Sequence, residues 1–578
     1  MKKIIKVETS VGSVMRPKRS RDRSSLSVIT KRLLSIILAF ALVASVFPML
    51  TGCPGTGPRQ PGHLTLFINN GQDFDGATRD PIWNMIEEAA GVSLTFRGTT
   101  HGPGYYASLN PLMNTIQNMP DLVFSVPRDL GVGTFMDVWT APGRALLYSY
   151  CELLARYPAG TFPWIERVLA SDRFINLRHN GSQYILPLIA SENSGGVYWR
   201  ADWLIAVGLF DTVDGVQVPR IPTNMDEFTE AIRRFSHYSH PGNTGANAGR
   251  STWGYCPARN EFAWETLMQA FGVTPNWDLR NGEIDYMFTT PEFRNFLIWA
   301  NQMHRNGNIM PTFNAIQQGG DRDEFYSSRV GVLITNAESH TTFIMQRMAN
   351  MGHAANVVMG PPPVGTANIG VPGAGGFSNF GGWWGGFSIT RMCADIDGAL
   401  KFLDFMYSPE GSMIRSFGVE GTHYDLVEGE IIPNNAARTA NRGFEMFNGA
   451  PTGRYRLGIS FGYPIDWAYW EETGDIIPKI YLSSFDPVYN HLVQSALDNL
   501  SIVSSQLTNI TAFTPATTGA MVRVEDASLA FRDGAILGRP GFNLTNNWDN
   551  MVNSAKGPTW PIMTGAMLET LRELGVIT

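Results

Sequence analysis

The sequence predicts an α/β protein with more than one lobe, and two observations carry that expectation. At 578 residues and 63.8 kDa the chain exceeds what one hydrophobic core ordinarily supports. Beyond residue 62, short apolar runs alternate with helical patterns of about ten residues, the signature of crossover units and a largely parallel sheet. His63 to Asn69 is an apolar run closing on polar residues and predicts the first strand. Pro81 to Gly91 follows as a helix, with Pro suited to its first turn and Gly marking its stop. Val92–Phe96 predicts a second strand, Leu112–Asn118 a helix, and Pro120–Ser125 a third strand. Farther on, Thr223 and Asp226 approximate a capping box, so a helix starts there with Phe228, Ile232 and Phe235 on its core-facing side. Phe402, Phe405 and Met406 likewise read as core.

Composition narrows the function classes. Hydrophobic residues make up 44% and charged residues 16%, which excludes a disordered chain, a coiled coil and a collagen-like repeat. Residues 1–52 hold ten of the 44 basic side chains and two of the 51 acidic ones, leaving 34 against 49 and a net charge of −15 beyond. A body this acidic is a poor electrostatic match for nucleic acid or for anionic lipid.

The basic excess belongs to targeting. A positive region ending in Lys31-Arg32 precedes the uncharged run Leu33–Leu50 and then Leu50-Thr51-Gly52-Cys53, the layout of an export signal. The last four residues resemble the bacterial lipobox, which implies that Cys53 is diacylated and becomes the first residue of the mature chain. The alternative is an uncleaved signal anchor, since such a run reaches across a bilayer with some tilt. Pro54 to Gly62 alternates Pro and Gly and reads as a flexible tether to a folded body outside the cytoplasm. With Cys53 lipidated, Cys151, Cys256 and Cys393 remain, an odd number without a CxxC spacing, so at most one disulfide is expected and buried thiols are favoured.

Five segments in order carry a resemblance to a known family. Tyr198-Trp199-Arg200-Ala201-Asp202-Trp203-Leu204, then Val207-Gly208-Leu209, then Ile221-Pro222-Thr223 through Phe228, look like the opening block of family 1 extracellular solute-binding proteins. Gly331–Ile334 resembles the strand that follows. Ala399–Pro409, Gly418–Tyr424, and Ile536-Leu537-Gly538 with Trp548-Asp549 resemble the later blocks. These proteins are the receptors of ABC importers, typically for carbohydrates, and this chain is similar to their longer lipoprotein branch.

The resemblance implies a periplasmic-binding-protein-like (type II) fold: two lobes, each a mixed sheet flanked by helices, with a ligand cleft at the hinge. The implied organisation is signal 1–52, tether 53–62, first lobe 63–190, second lobe 191–380, a return to the first lobe over 381–425, and a C-terminal helical segment 426–578 mainly in the second lobe. The chain is expected to cross between lobes within Leu186–Tyr198 and again near Gly381–Ile389. A carbohydrate ligand, the transmembrane permease subunits and a lipid contact would be its partners, the protein itself acting as a monomer without cofactor or metal.

Sugar sites combine aromatic platforms for flat CH faces with polar hydrogen bonders for hydroxyls. Trp383 and Trp384, set between glycines at the second expected crossing, are the leading platform candidates, and Trp199 is the next. The glycine run around them lacks the Lys-Ser/Thr of a phosphate loop. Glu192 and Asn193 fall at the first crossing; Asn69, Asn70, Asp73, Ser125 and Asn336 follow strands, where open α/β sheets place ligands. The same residue types also serve as ordinary turn formers or core.

Two departures bound the carry-over. His240–Asn247 lacks the carboxylates that many relatives carry there, which argues against a calcium loop. Asn336-Ala337-Glu338-Ser339 lacks the aromatic of maltose-type receptors. A carbohydrate hydrolase is the enzyme alternative. Glu471-Glu472, after Asp466–Trp470, is the suggestive acidic cluster, but adjacent side chains point apart. Asp321–Glu324 reads as a solvated helix start rather than a cation loop. A receptor that presents ligand to a membrane sensor is the other alternative to import.

Overall fold

A computed structural model describes residues between 62 and 577, apart from 69–80, 99–102, 126–137, 172–177, 190–194, 239–251, 337–343, 379–382, 438–443, 456–486, 504–514 and shorter stretches. The chain divides into two compact units, Met1–Pro58 and Arg59–Thr578, and the described residues all belong to the second. Its principal strands are β1 (His63–Phe67), β2 (Ser93–Arg97), β3 (Leu122–Ser125), β4 (Leu186–Ile189), β5 (Gly195–Arg200), β6 (Trp253–Tyr255), β7 (Val330–Asn336), β8 (Val357–Gly360), β9 (Phe377–Ser378), β10 (Trp383–Ile389) and β11 (Ile502–Val503). Its principal helices are α1 (Pro81–Ala90), α2 (Pro103–Asn114), α3 (Met225–Phe235), α4 (Glu261–Gln269), α5 (Pro291–Arg305), α6 (Ile396–Tyr407), α7 (Pro409–Phe417), α8 (Asn490–Asp498), α9 (Pro515–Leu537), α10 (Leu544–Ala555) and α11 (Trp560–Glu573).

The first sheet has the order β2-β1-β3-β10-β4. β1 lies parallel to β2 and β3, because the chain returns between them through α1 and α2. β10 comes back from far along the chain and is wedged antiparallel between β3 and β4. The carboxyl ends of β1 to β4 and the amino end of β10 therefore share one edge. α1 buries Ile82, Trp83, Ile86 and Ala90 against the sheet, spacings that put them on one helical face. Residues 64–188 and 387–414 build one core; Phe402 and Met406 are wholly inside it and Phe405 lies at its margin.

The second sheet has the order β6-β7-β5-β8, with β6 parallel to β7 and β5 antiparallel to both of its neighbours. Its core draws on residues 197–377 and on 493–571. α3 buries Met225, Phe228, Ala231, Ile232 and Phe235, with Asp226 and Glu227 in its first turn and Arg233 and Arg234 in its last, both matched to the helix dipole. Each of those phenylalanines contributes about 1.5–3 kcal/mol by leaving water. The capping box sits one residue later than expected: Asn224 Oδ1 accepts from the Glu227 amide, and Glu227 Oε2 accepts from the Thr223 amide at 2.8 Å.

Other expectations are corrected. The helix expected over Leu112–Asn118 begins at Pro103 and ends at Asn114. Within 426–578, helices are joined by two hairpins, Tyr424–Val427 with Glu430–Pro433 and Phe444–Phe447 with Ala450–Tyr455. The first is Val/Ile/Tyr-rich with Pro433 at its end, composition that favours strands. Residues 450–455 pack on α7 and so against the first lobe. Asp321 starts the helix Gly320–Tyr326 but is 1% exposed, not solvated. Cys151, Cys256 and Cys393 are all free thiols, Cys151 exposed and the other two buried. Among the described residues, no helix is long and apolar enough to cross a membrane.

Candidate ligand-binding site

The chain passes between the two sheets twice. The chain leaves the first sheet at Ile189 and enters the second at Gly195; it leaves the second lobe at Ser378 and re-enters the first sheet at Trp383. On the first-lobe side Trp383 pairs with Ile189. On the second-lobe side a methyl group on Gly195 would lie 2.0 Å from the Phe377 ring, so Gly195 and Phe377 are in close contact.

Among the described residues, the sequence candidates fall at the edges of the two sheets. Ser125 ends β3, and Trp383 and Trp384 begin β10 on the same edge of the first sheet. Asn336, the last residue of β7, is paired with Gly195 and so stands at the edge of the second sheet where the first passage lands. Asn69 and Asn70 come directly after the last described residue following β1, and Glu192 and Asn193 belong to the first passage; with Asp73 these five lie outside the described residues. Cys53, His240–Asn247 and Asp466–Glu472 lie outside them as well.

Trp199 is corrected. It is fully buried in the second-lobe core, its ring edge-on to Phe228 at 5.5 Å and tilted on Phe235 at 6.2 Å. On β5 successive side chains alternate faces, and Trp199 takes the one covered by α3. Its burial and these ring contacts give it a packing role, and its indole nitrogen is left without a hydrogen-bond partner. Ser125 is also wholly buried, and its hydroxyl is unpartnered at the very edge where ligand is expected.

The glycines beside the tryptophans have a steric cause. A methyl group on Gly386 would stand 2.3 Å from the Leu186 carbonyl oxygen, and one on Gly385 would stand 2.6 Å from the Phe124 ring. The register of β10 against β4 shifts between Trp383 and Gly386, a bulge that turns the start of the strand. Aromatics between glycines were legible; the need for close backbone approach was not.

Three buried tyrosines that sequence reasoning passed over hold this edge in place. Tyr105 donates to the carbonyls of Phe124 (2.7 Å) and Phe67 (3.3 Å), joining the ends of β3 and β1. Tyr150 donates to Phe387 (2.8 Å) in β10, and Tyr407 to Pro187 (2.8 Å) in β4. Burial, aided by neighbouring Tyr106, raises the Tyr105 hydroxyl well above its ordinary pKa; burial first, then Tyr407 and Cys393, does the same for Tyr150. Tyr105 and Tyr150 therefore stay neutral donors at neutral pH. A buried Tyr among apolar neighbours leaves no periodic signal that separates it from core.

No group of three or more His, Cys, Asp or Glu among the described residues stands together as a metal site. The described edge carries the buried Ser125 hydroxyl and the glycine-flanked backbone of Trp383 and Trp384.

No family model matches the chain. Lipoprotein LipO of Bacillus subtilis (strain 168) is 24% identical over 241 residues, which are 40% of this chain and 44% of that protein, so the chain spans less than half of this curated relative. Among solved structures, the alginate-binding protein AlgQ2 superposes with a TM-score of 0.60 at 14% identity, over 89% of this chain and 98% of that one. An HMO-binding, ABC-transporter-associated solute-binding protein from Bifidobacterium longum infantis gives 0.57 at 13% identity, covering 90% and 100%. FusA of S. pneumoniae, an ABC-transporter substrate-binding protein solved with kestose, gives 0.57 at 13%, covering 89% and 99%. These neighbours are binding proteins rather than enzymes. This chain has their fold, the two-lobed α/β architecture of solute-binding proteins.

Proposed function

We propose that the chain is the lipid-anchored, extracytoplasmic solute-binding protein of an ABC importer, and that its ligand is an oligosaccharide. What supports this reading is that the chain leaves and re-enters the first sheet at one of its edges, where Trp383, Trp384 and Ser125 stand, and enters the second sheet beside Asn336. Relatives of the same fold are named for alginate, HMO and kestose, which supports a carbohydrate over other solutes. The signal-like N-terminus with Cys53, and a relative named a lipoprotein, support the anchor.

In this reading one or both tryptophans stack on the CH face of a sugar ring while polar groups from both edges take its hydroxyls. Each lobe makes part of the contact set, so the full set forms only when the lobes close, and ligand shifts the equilibrium toward the closed form by its differential affinity. The closed form is what the permease subunits receive. The protein binds as a monomer, and no bond in the ligand is broken.

The test is a ligand screen on protein beginning at Pro54, reading melting temperature and Trp fluorescence against mono- and oligosaccharides. Ligand that binds only the folded state adds about 2.7 kcal/mol at a hundredfold excess over its dissociation constant. A melting shift with the sugar recovered intact supports the reading; a shift with the sugar cleaved overturns it in favour of a hydrolase. No shift with any sugar sinks the carbohydrate assignment.

A further inference from the structure

An asparagine followed by glycine can cyclise onto its own main chain, because no side chain shields the glycine amide. Such pairs stand at 70–71, 180–181, 281–282, 306–307 and 448–449, and those at 281–282 and 306–307 fall among the described residues. The two are held in opposite ways. Asn281 and Gly282 form the two-residue turn of the hairpin that joins Trp277–Arg280 to Glu283–Tyr286. Their φ angles are 53° and 81°, the left-handed pair of a type I′ turn. Both residues are exposed, and the Gly282 amide has no hydrogen-bond partner among the described residues. Asn306 instead caps the end of α5 at φ −79° and ψ −1°. There the Asn306 amide donates to the Gln302 carbonyl at 3.0 Å, the Gly307 amide to that of His304 at 3.0 Å, and the Asn308 amide to that of Met303 at 2.9 Å.

From this we infer that Asn281 is a site of spontaneous covalent modification, where asparagine becomes aspartate and isoaspartate, and that the end of α5 shields Asn306 from the same reaction. The Gly282 nitrogen, on losing its proton, attacks the side-chain carbonyl carbon of Asn281. A carbon–nitrogen bond forms between them, the side-chain carbon–nitrogen bond breaks, and that nitrogen leaves as ammonia with the proton the glycine amide gave up. Water then adds to one of the two carbonyls of the cyclic imide and opens it, giving aspartate from one side and isoaspartate from the other. The turn must leave its I′ geometry for the attack, which takes only the fraying of a hairpin tip. No bond to the Gly282 amide is broken, and Asn281 gives up a left-handed conformation that non-glycine residues disfavour. At Asn306 the bonds to Gln302 and His304 must open and the end of a helix must unwind first.

The hairpin has a structural task that the reaction disturbs. Trp277, Ile284 and Tyr286 are buried at its base. The Trp277 ring is tilted on Tyr286 at 4.6 Å and on Trp560, the first residue of α11, at 5.2 Å, and Lys556 donates to Asp285 at 2.5 Å. Arg280, just before the turn, pairs with Asp278 and Glu292, each at 3.3 Å. Isoaspartate adds a methylene to the main chain, which a two-residue turn does not absorb. The pairing of Arg280 with Glu283 and of Leu279 with Ile284 shifts with it, and the seat of α11 loosens.

The test ages the full chain carrying Cys53→Ser in mildly alkaline buffer and maps its peptides by mass spectrometry, with electron-transfer fragmentation to tell isoaspartate from aspartate. Both pairs are Asn-Gly, so their rates should come together in urea, and a difference in the folded chain belongs to the structure. There the Asn281 peptide is expected to convert about tenfold faster than the Asn306 peptide, the factor set by one further hydrogen bond to open. Equal rates in the folded chain overturn the inference, as does an unchanged Asn281 over a period in which the urea-unfolded chain converts. Asn281→Gly keeps a residue at ease in the left-handed region and removes the reacting side chain. Ageing is expected to lower the urea midpoint of the parent and to leave that of Asn281→Gly in place. If Asn281 converts while the two midpoints fall together, the modification site stands and its effect on the seat of α11 is overturned.

Discussion

Gly195 is the position where the structure makes its sharpest energetic demand. A methyl group there would stand 2.0 Å from Phe377 Cδ1, 2.2 Å from Cγ and 2.6 Å from Cε1, distances that carbon atoms do not sustain. Relief requires the Phe377 ring to move by more than an ångström, and that ring is fully buried. Overpacking of this kind costs about 1–3 kcal/mol, so Gly195→Ala should lower the unfolding free energy by that amount. Phe377→Ala alone should cost about 3–5 kcal/mol through the cavity it opens. In the double variant the methyl group enters that cavity, and the combined loss should fall short of the two single losses by about 1 kcal/mol or more. Urea unfolding of the four proteins closes the cycle. Additivity within about 0.5 kcal/mol would show that Gly195 and Phe377 do not touch, and would refute their close approach.

Trp383→Ala and Trp384→Ala should weaken sugar binding, at least one of them by about 1–3 kcal/mol, measured by calorimetry; unchanged affinity in both removes them from the site. Trp199→Phe, by contrast, should leave that affinity untouched and lower the melting temperature, since its ring serves the core. Arg200 is fully buried and bonded twice to the partly exposed Asp202 (2.8 and 2.6 Å) and once to the Ser328 hydroxyl (2.6 Å), so Arg200→Met should cost about 1–3 kcal/mol in urea unfolding. Burial pushes the Cys256 thiol up to about 12 from 9.0. A raised folded pKa means its contribution is whole below pH 9.0 and is lost as pH rises toward about 12, at roughly 1.4 kcal/mol per unit; Cys256→Ala should flatten that part of the stability profile.

Particular residues show why some of this was legible. Pro81 to Gly91 announced α1 because apolar spacing, an N-terminal Pro and a stopping Gly all agree locally. The spacing of Phe228, Ile232 and Phe235 announced the face of α3 for the same reason. Trp199 was misread because on a strand buried from both sides the alternation that separates core from surface vanishes, and a Trp there looks like a Trp at a cleft. Asp321 was misread because a run of charges reads as solvated until the fold covers one of them. Tyr105, Tyr150 and Tyr407 depend on carbonyls 19, 237 and 220 residues away, distances across which a single sequence carries no pairing signal.

Those long spans bear on how the molecule comes into being. The first sheet lacks the strand between β3 and β4 until residue 389 is made, and the Tyr150 bond to Phe387 bridges 237 residues; the second lobe waits as long for its helix α9, the Asn301 bond to Ala535 bridging 234. Closing loops of that length early is entropically slow, so neither half matures as it emerges from the ribosome. β1 to β3 are the first strands made, and they wait with β3 unpaired on the side β10 will occupy, an open template for neighbouring chains. A chain threaded outward in the unfolded state meets no such delay inside the cell. Under the export proposed for this chain, assembly is deferred to the far side of the membrane, and holding factors that keep the early strands apart should raise its yield more than any single stabilising substitution.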